Sequence, residues 1–290
     1  MIKRLIRKGV LRLVGPIEVV APPNPDNADL AARVTALEAQ LSLSERHHTL
    51  SFWAALDKVY DIALQDRVIS CIVCGNSSKR DSYEILTSNC IFGGGKLERY
   101  RCPHCDCVFG AQKFLDQGED MIGLDYELLY SRYKEGNTVE NEIRTFHSLS
   151  PTTEGAYVNW GCGAWNNTVP RLRSDSWNVW GFEPSAGVTS EFVISQKDAL
   201  PSKLDGLFSN NVIEHFLNPV AEFKKFADLL PPGGRMAHSS PCYEYRYEVT
   251  RFHTVFLLGR SPEILAERSG FRMIDRIKDG EYINVVFEKV

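Results

Sequence analysis

From Tyr157 onward the apolar positions fall into short runs that alternate with a helix-period stripe. Tyr157 to Trp160, Val179 to Glu183, Gly206 to Ser209 and Arg235 to Ser240 read as buried strands. Pro219 to Leu230 carries Phe223, Phe226, Leu229 and Leu230 at helical spacing. Asn218-Pro219 opens this helix, and Pro231-Pro232-Gly233-Gly234 ends it. A second helix starts at Ser261-Pro262 and stops at Gly270. Phe271 to Ile277, an Asp279-Gly280 turn and Ile283 to Phe287 then form an antiparallel hairpin. Strands alternating with helices predict an α/β fold, a parallel sheet with crossover helices closed by a reversed strand.

Upstream the pattern is helical and interrupted. Residues 30–67 carry Leu30, Val34, Leu37 and Leu41 at spacings of four, three and four, a seam of about two heptads. Such a seam either joins subunits, through residues 30–43, or packs on a following helix around Phe52 to Leu64. Residues 113–150 form a helical connector in which Tyr126, Leu129, Tyr130, Tyr133, Ile143, Phe146 and Leu149 recur at helical spacing. Its aromatic stripe is either core or a lid over a cofactor. Residues 16–29, with Pro16, Pro22, Pro23 and Pro25, make a semi-extended linker. Residues 1–15 interleave Lys3, Arg4, Arg7, Lys8 and Arg12 with aliphatic side chains and contain no acid. This suits a basic amphipathic helix on an anionic membrane surface, or else a solvated or partner-bound tail.

Composition narrows the function. The chain has 290 residues, 43% of them hydrophobic, enough for about two domains with a core. A net charge of -4 argues against a binder of nucleic acid that works through a whole-surface basic field. No apolar run approaches the ~18 to 20 residues of a membrane span, and the start lacks the pattern of a signal peptide. These features predict a cytoplasmic protein, peripheral at the inner membrane face if residues 1–15 bind there. In that compartment eight cysteines suggest metal binding before disulfides.

Four cysteines are paired in two knuckles, Cys71-Ile72-Val73-Cys74 and Cys102-Pro103-His104-Cys105. Each knuckle aims two thiolates at one point, and together they make the closed S4 site of a structural zinc, in a module over residues 68–112. Cys107 and His104 lie close enough to substitute as ligands, and Cys90 is read as an ordinary small residue. A redox Cys-x-x-Cys is the competing reading, but it lacks a thioredoxin-like context.

The strand ending at Trp160 leads into Gly161-Cys162-Gly163, and the next strand ends in Glu183. Glycines at a strand-to-helix turn let backbone N–H groups approach a ligand, and the later acid can hold a ribose diol. Gly-x-Gly alone is equally compatible with a plain tight turn. The order of the further motifs decides between them.

Gly206-Leu207-Phe208-Ser209-Asn210-Asn211-Val212-Ile213-Glu214-His215, followed by Asn218-Pro219 and then Leu229-Leu230-Pro231-Pro232-Gly233-Gly234, resembles the post-cofactor motifs of class I S-adenosylmethionine-dependent methyltransferases. The resemblance covers residues 151–290. It implies a Rossmann-like seven-stranded mostly parallel sheet with an antiparallel last strand, here preceded by the zinc-binding module and N-terminal helices. The cofactor would lie across the carboxyl ends of the first, second and fourth strands. Carried over by position, Gly161, Cys162 and Gly163 face the methionine part of S-adenosyl-L-methionine and Glu183 takes the ribose hydroxyls. Asn210 and Asn211 sit near the methionine moiety and the acceptor. Two positions depart from the family. Asn159 stands where an acid is usual, and Trp165 where a third glycine is usual, which predicts weaker cofactor binding or a dead site.

The cysteine module makes the chain similar to bacterial methyltransferases acting on sugars in surface-polysaccharide clusters. O-methylation of a sugar, glycan or other small acceptor is the expectation, with nucleotide-sugar C-methylation as the alternative. Near neutral pH histidine is the natural base. The candidates are His215, after the fourth strand, and His253, in the loop before the last helix; His238, inside a strand, reads as core. A metal held by Glu214 and His215 is a further option. Readings of another class are a scaffold with a degenerate cofactor site and a zinc-ribbon nucleic-acid binder.

Overall fold

The computed structural model describes residues 27–130, 133, 136–163, 167–184 and 191–290. The expectations for residues 1–15, for most of the proline-rich linker and for Trp165 lie outside the described residues.

Thirteen strands and seven α-helices are described. Their order is α1 (Asn27–Ala63), β1 (Val68–Ser70), β2 (Ser77–Lys79), β3 (Glu84–Asn89), β4 (Lys96–Arg101), β5 (Val108–Gly110), α2 (Gln112–Leu115), α3 (Glu119–Tyr130) and α4 (Val139–Ser148). The second half continues with β6 (Ala156–Trp160), α5 (Thr168–Ser174), β7 (Asn178–Phe182), β8 (Val193–Ile194), β9 (Gly206–Asn210) and α6 (Pro219–Leu229). It ends with β10 (Arg235–Ser239), β11 (Val255–Phe256), α7 (Ser261–Ser269), β12 (Phe271–Asp279) and β13 (Tyr282–Lys289).

The chain divides into two compact units, Met1–His48 and Thr49–Val290. In the first, Leu30, Val34, Leu37 and Leu41 are 46–65% exposed. The segment around Phe52 to Leu64 continues the same helix, so it is not a separate helix against which that stripe could pack.

In the second unit a seven-stranded sheet has the order β12-β13-β10-β9-β6-β7-β8. β9 pairs parallel with both β6 and β10, whereas β13 runs antiparallel to β10 and β12. The result is a mostly parallel, doubly wound sheet closed by a reversed strand. Successive residues of each strand serve opposite layers: Val158, Leu207, Met236 and Phe287 face a core shared with α6 and α7, including Phe223, Phe226 and Leu265. Tyr157, Phe208, Ala237 and Val286 face a second core with Phe146, Leu149, Val169 and Leu172 of α4 and α5. Burying each such side chain stabilises by about 1.5 to 3 kcal/mol, which ties both helix layers to the sheet. The helix ends follow local chemistry. Asn218 caps α6 by accepting from the Ala221 N–H at 3.1 Å, with Pro219 next to it. Gly270, at φ +83°, ends α7.

The cysteine segment builds a four-stranded antiparallel sheet, β11-β5-β4-β3. Its last member comes from beyond the parallel sheet, with Val255 opposite Phe109 and Phe256 opposite Val108.

Candidate active site

Parallel strands end on one edge of the sheet, where their backbone turns must be tight. After β6 the chain turns through Gly161 at φ +69° and Gly163 at φ +73°. A Cβ on Gly161 would stand 2.7 Å from Val212 Cγ2, so the β6 turn packs against the loop after β9; a Cβ on Gly163 would meet nothing within 4 Å among the described residues. The Gly163 N–H donates to Glu183 Oε2 at 3.1 Å, bringing the predicted ribose acid onto the glycine loop. Cys162 lies between, buried, and burial together with the negative charges of Glu183 and Glu142 pushes its thiol up to about 12. The loop therefore lies beside two carboxylates.

Asn159 is buried at the end of β6, and its Nδ2 donates to Glu142 Oε2 at 2.6 Å. Glu142 belongs to α4, is itself buried, and accepts from Thr138 Oγ1 at 2.6 Å through Oε1. The acid absent from the strand is thus present beside it. Reading from sequence misses Glu142. The available signal was its spacing of four from Phe146, which puts a carboxylate on the helix face that the apolar stripe buries.

At the end of β9, Asn210 Oδ1 accepts a hydrogen bond from Ser239 Oγ. Asn211, at φ +54°, donates its backbone N–H to the Ser239 carbonyl at 2.9 Å. A short 3-10 turn, Ile213–His215, follows. Glu214 is fully buried and accepts from Ser240 Oγ at 2.7 Å. His215 Nδ1 lies 3.0 Å from the Phe252 carbonyl, and the His215 and His253 rings are 5.1 Å apart. The two predicted bases are therefore neighbours. Burial, then the charges of His215 and Arg99, hold His253 down to about 2. Glu214, His215 and His253 each offer a ligand atom within 4.8 Å of the other two.

Helix α3 covers this corner. Tyr126 packs edge-on to His215 at 5.7 Å and against Phe252 at 4.5 Å. Asp125 accepts from Arg251 Nε at 2.6 Å. Arg251 is buried in this pair and donates also to the Phe92 carbonyl, while Arg246 is held by Glu244 at 2.8 Å. His238 is fully buried and hydrogen-bonded through Nδ1 to Ser209 Oγ at 2.7 Å, and burial lowers it to about 3.

The four knuckle cysteines converge. Cys71 and Cys105 sulfurs are 3.7 Å apart and those of Cys74 and Cys102 3.5 Å, with all four within 4.8 Å. A tetrahedron with Zn–S distances of about 2.3 Å has sulfurs about 3.8 Å apart, so the spacing fits that ion. His104 is exposed, and Cys107 is buried beside the four. Cys90 is buried and accepts from Arg251 Nη1 at 3.6 Å, a packing role.

Residues 140–274 match the family model described as "Methyltransferase domain". No curated protein matches the chain. Among solved structures the chain is similar to 1,6-didemethyltoxoflavin-N1-methyltransferase from Burkholderia thailandensis, solved with 1,6-didemethyltoxoflavin and S-adenosylhomocysteine. That likeness has 12% identity and a TM-score of 0.46, covering 67% of this chain and 96% of that one. It is also similar to an S-adenosylmethionine-dependent methyltransferase from Mesorhizobium loti, at 14% identity, 51% and 98% coverage and a TM-score of 0.38. A third is CalO1, a calicheamicin-biosynthesis methyltransferase bound to S-adenosylhomocysteine, at 11% identity, 62% and 61% coverage and a TM-score of 0.42. The domain match thus falls on the residues that build most of the seven-stranded sheet.

Proposed function

We propose that this enzyme transfers a methyl group to a hydroxyl of a sugar, a glycan or another small acceptor. The observation that carries the cofactor assignment is the Gly163 N–H donating to Glu183 Oε2 across the ends of the first two strands. S-adenosylmethionine supplies a methyl group already activated on a sulfonium. Gly161, Cys162 and Gly163 would line its methionine part, and Glu183 would hold the ribose hydroxyls. Glu142, positioned by Asn159, supplies the carboxylate for the ammonium that the strand itself lacks. Two carboxylates around a neutral Cys162 suit a ligand carrying positive charge.

Asn210 and Asn211 border the reacting end, and His215 and His253 are the acceptor-side pair. In-line placement accounts for much of the rate, and withdrawing the hydroxyl proton contributes about 100- to 10,000-fold more. The sugar-type acceptor rests on the sequence likeness carried by the cysteine module. For that module we propose a structural Zn2+ on Cys71, Cys74, Cys102 and Cys105. The exposed stripe at residues 30–43 is our proposed contact between copies, and residues 1–15 our proposed membrane contact.

Calorimetric titration with S-adenosylhomocysteine, with Glu183→Ala as control, tests the reading. Micromolar binding lost in the control, followed by turnover with sugar or nucleotide-sugar acceptors, supports it. Absence of binding by the zinc-loaded protein would return the chain to the scaffold class.

A further inference from the structure

Glu214, His215 and His253 come from two segments that the fold clamps together. The Thr254 N–H donates to the Glu214 carbonyl at 2.8 Å, and Thr254 Oγ1 donates to the Phe216 carbonyl at 2.9 Å. Behind them the buried Arg99 guanidinium donates to the carbonyls of Thr250 at 2.7 Å and His253 at 3.0 Å. The backbone carrying both histidines is thus held from two sides.

Two of the three side chains, His215 and Glu214, are also oriented from behind. A carbonyl can only accept, so the Phe252 carbonyl fixes a proton of His215 on Nδ1, and Nε2 is the nitrogen left to ligate. His253 Nδ1 is buried with no hydrogen-bond partner among the described residues. Ser240 Oγ donates to Glu214 Oε2. Metal-bound imidazoles and carboxylates are held in this way, one atom on the ion and another on an outer partner.

We infer that Glu214, His215 and His253 form a binding site for one first-row divalent cation, a two-histidine, one-carboxylate site with positions left open for the acceptor. Two imidazoles and a carboxylate suit Zn2+ or Fe2+ better than Mg2+. The site is two residues along from Val212, which abuts Gly161, and so borders the glycine loop. Its use rests on the methyl-transfer reading. There, a coordinated acceptor hydroxyl loses its proton to solvent water at neutral pH. Its oxygen then forms the O–CH3 bond as the S–CH3 bond breaks and the electron pair stays on sulfur. The histidines act as ligands in this step and do not take up the proton.

The test is the metal content of full-length protein saturated with Zn2+ and desalted. Wild type is expected to hold one equivalent more than His215→Gln or His253→Gln, and Cys102→Ser to lose a different one. Loss of a ligand should weaken Zn2+ by more than the about 10- to 100-fold that loss of an outer partner costs. Equal metal content in wild type and correctly folded histidine variants overturns the inference. Wild type already carrying zinc on its cysteines gives a second readout: added Co2+ should show ligand-field absorption without thiolate charge-transfer bands, and no absorption overturns it too. Metal bound without S-adenosylhomocysteine binding upholds the site and sinks the methyl-transfer reading. Cofactor binding with no second equivalent does the reverse.

Discussion

Asn159 Nδ2 donates to Glu142 Oε2 at 2.6 Å, joining the end of the first parallel strand to the helix that precedes it. An amide on the strand and an acid on the helix reproduce the one negative charge that a strand acid would bring. The departure at Asn159 therefore need not weaken the cofactor. Glu142→Gln is expected to raise the S-adenosylhomocysteine dissociation constant about tenfold, or about 1.4 kcal/mol. Asn159→Asp alone sets two carboxylates against each other and should also weaken binding. The double variant Asn159→Asp/Glu142→Gln restores one acid and one amide and should recover much of the loss, a pattern calorimetry reads directly. Wild-type affinity in Glu142→Gln would remove Glu142 from the cofactor site.

Gly161 and Gly163 share a left-handed backbone but differ in surroundings. Gly163→Ala bears only the conformational term, about 1 to 2 kcal/mol. Gly161→Ala adds a methyl 2.7 Å from Val212 Cγ2 and should lose about 1 to 3 kcal/mol more in urea unfolding. Val212→Ala in the Gly161→Ala background should return part of that difference; equal losses at the two glycines would contradict the packing described.

Removing the zinc we propose for the four cysteines should loosen more than the knuckles. The Gly110 N–H donates to the Thr254 carbonyl at 3.0 Å, so the cysteine sheet and the His253 loop share backbone hydrogen bonds. Chelation, or Cys102→Ser, is expected to lower Tm by about 4 to 8 °C, the shift for about 2 kcal/mol in a domain of this size. Hydrogen exchange at the Gly110 and Thr254 amides should speed up. Protection unchanged after metal loss would mean the four cysteines need no ion.

His238 is buried and neutral, with its folded value lowered to about 3 from an ordinary 6.5. Between those values the unfolded chain binds the extra proton, so this group's contribution is full above pH 6.5 and falls as the pH drops. From pH 6.5 to 5 the loss approaches about 1.4 kcal/mol per unit. His238→Leu is less stable at pH 7.5, because Ser209 loses its partner, but its stability should fall less steeply over that range. Denaturant midpoints at four pH values, giving parallel slopes for the two proteins, would refute the assignment.

The parallel sheet was legible because its signals are local. Asn218-Pro219, Pro231-Pro232-Gly233-Gly234 and Gly270 punctuate the chain within a residue or so of the observed ends of α6 and α7. The meeting of Glu183 with the glycine loop was legible because both sit at strand ends in fixed chain order, and the four knuckle cysteines because each pair is close in the chain. β8 and β11 escaped because each has two residues, too few to show a period. Glu142 escaped because its meaning depends on Asn159, a neighbour only once α4 packs on the sheet. The pairing of His215 with His253 depends likewise on the loop before α7 folding back over the β9 turn. For residues 30–41 a heptad fragment cannot tell a partner helix from its own continuation, and here the helix continues.

Strand β11 has a practical consequence for anyone cutting this protein into pieces. Val255 and Phe256 follow His253 almost directly, yet they hydrogen-bond to β5 in the cysteine sheet. A fragment beginning near residue 150 would carry an orphan strand and an unsupported histidine loop, and a fragment ending near residue 112 would expose the edge of β5. Any chimera that trades the cysteine module between relatives therefore has to bring residues 254–257 along with it, though they lie far away in the chain.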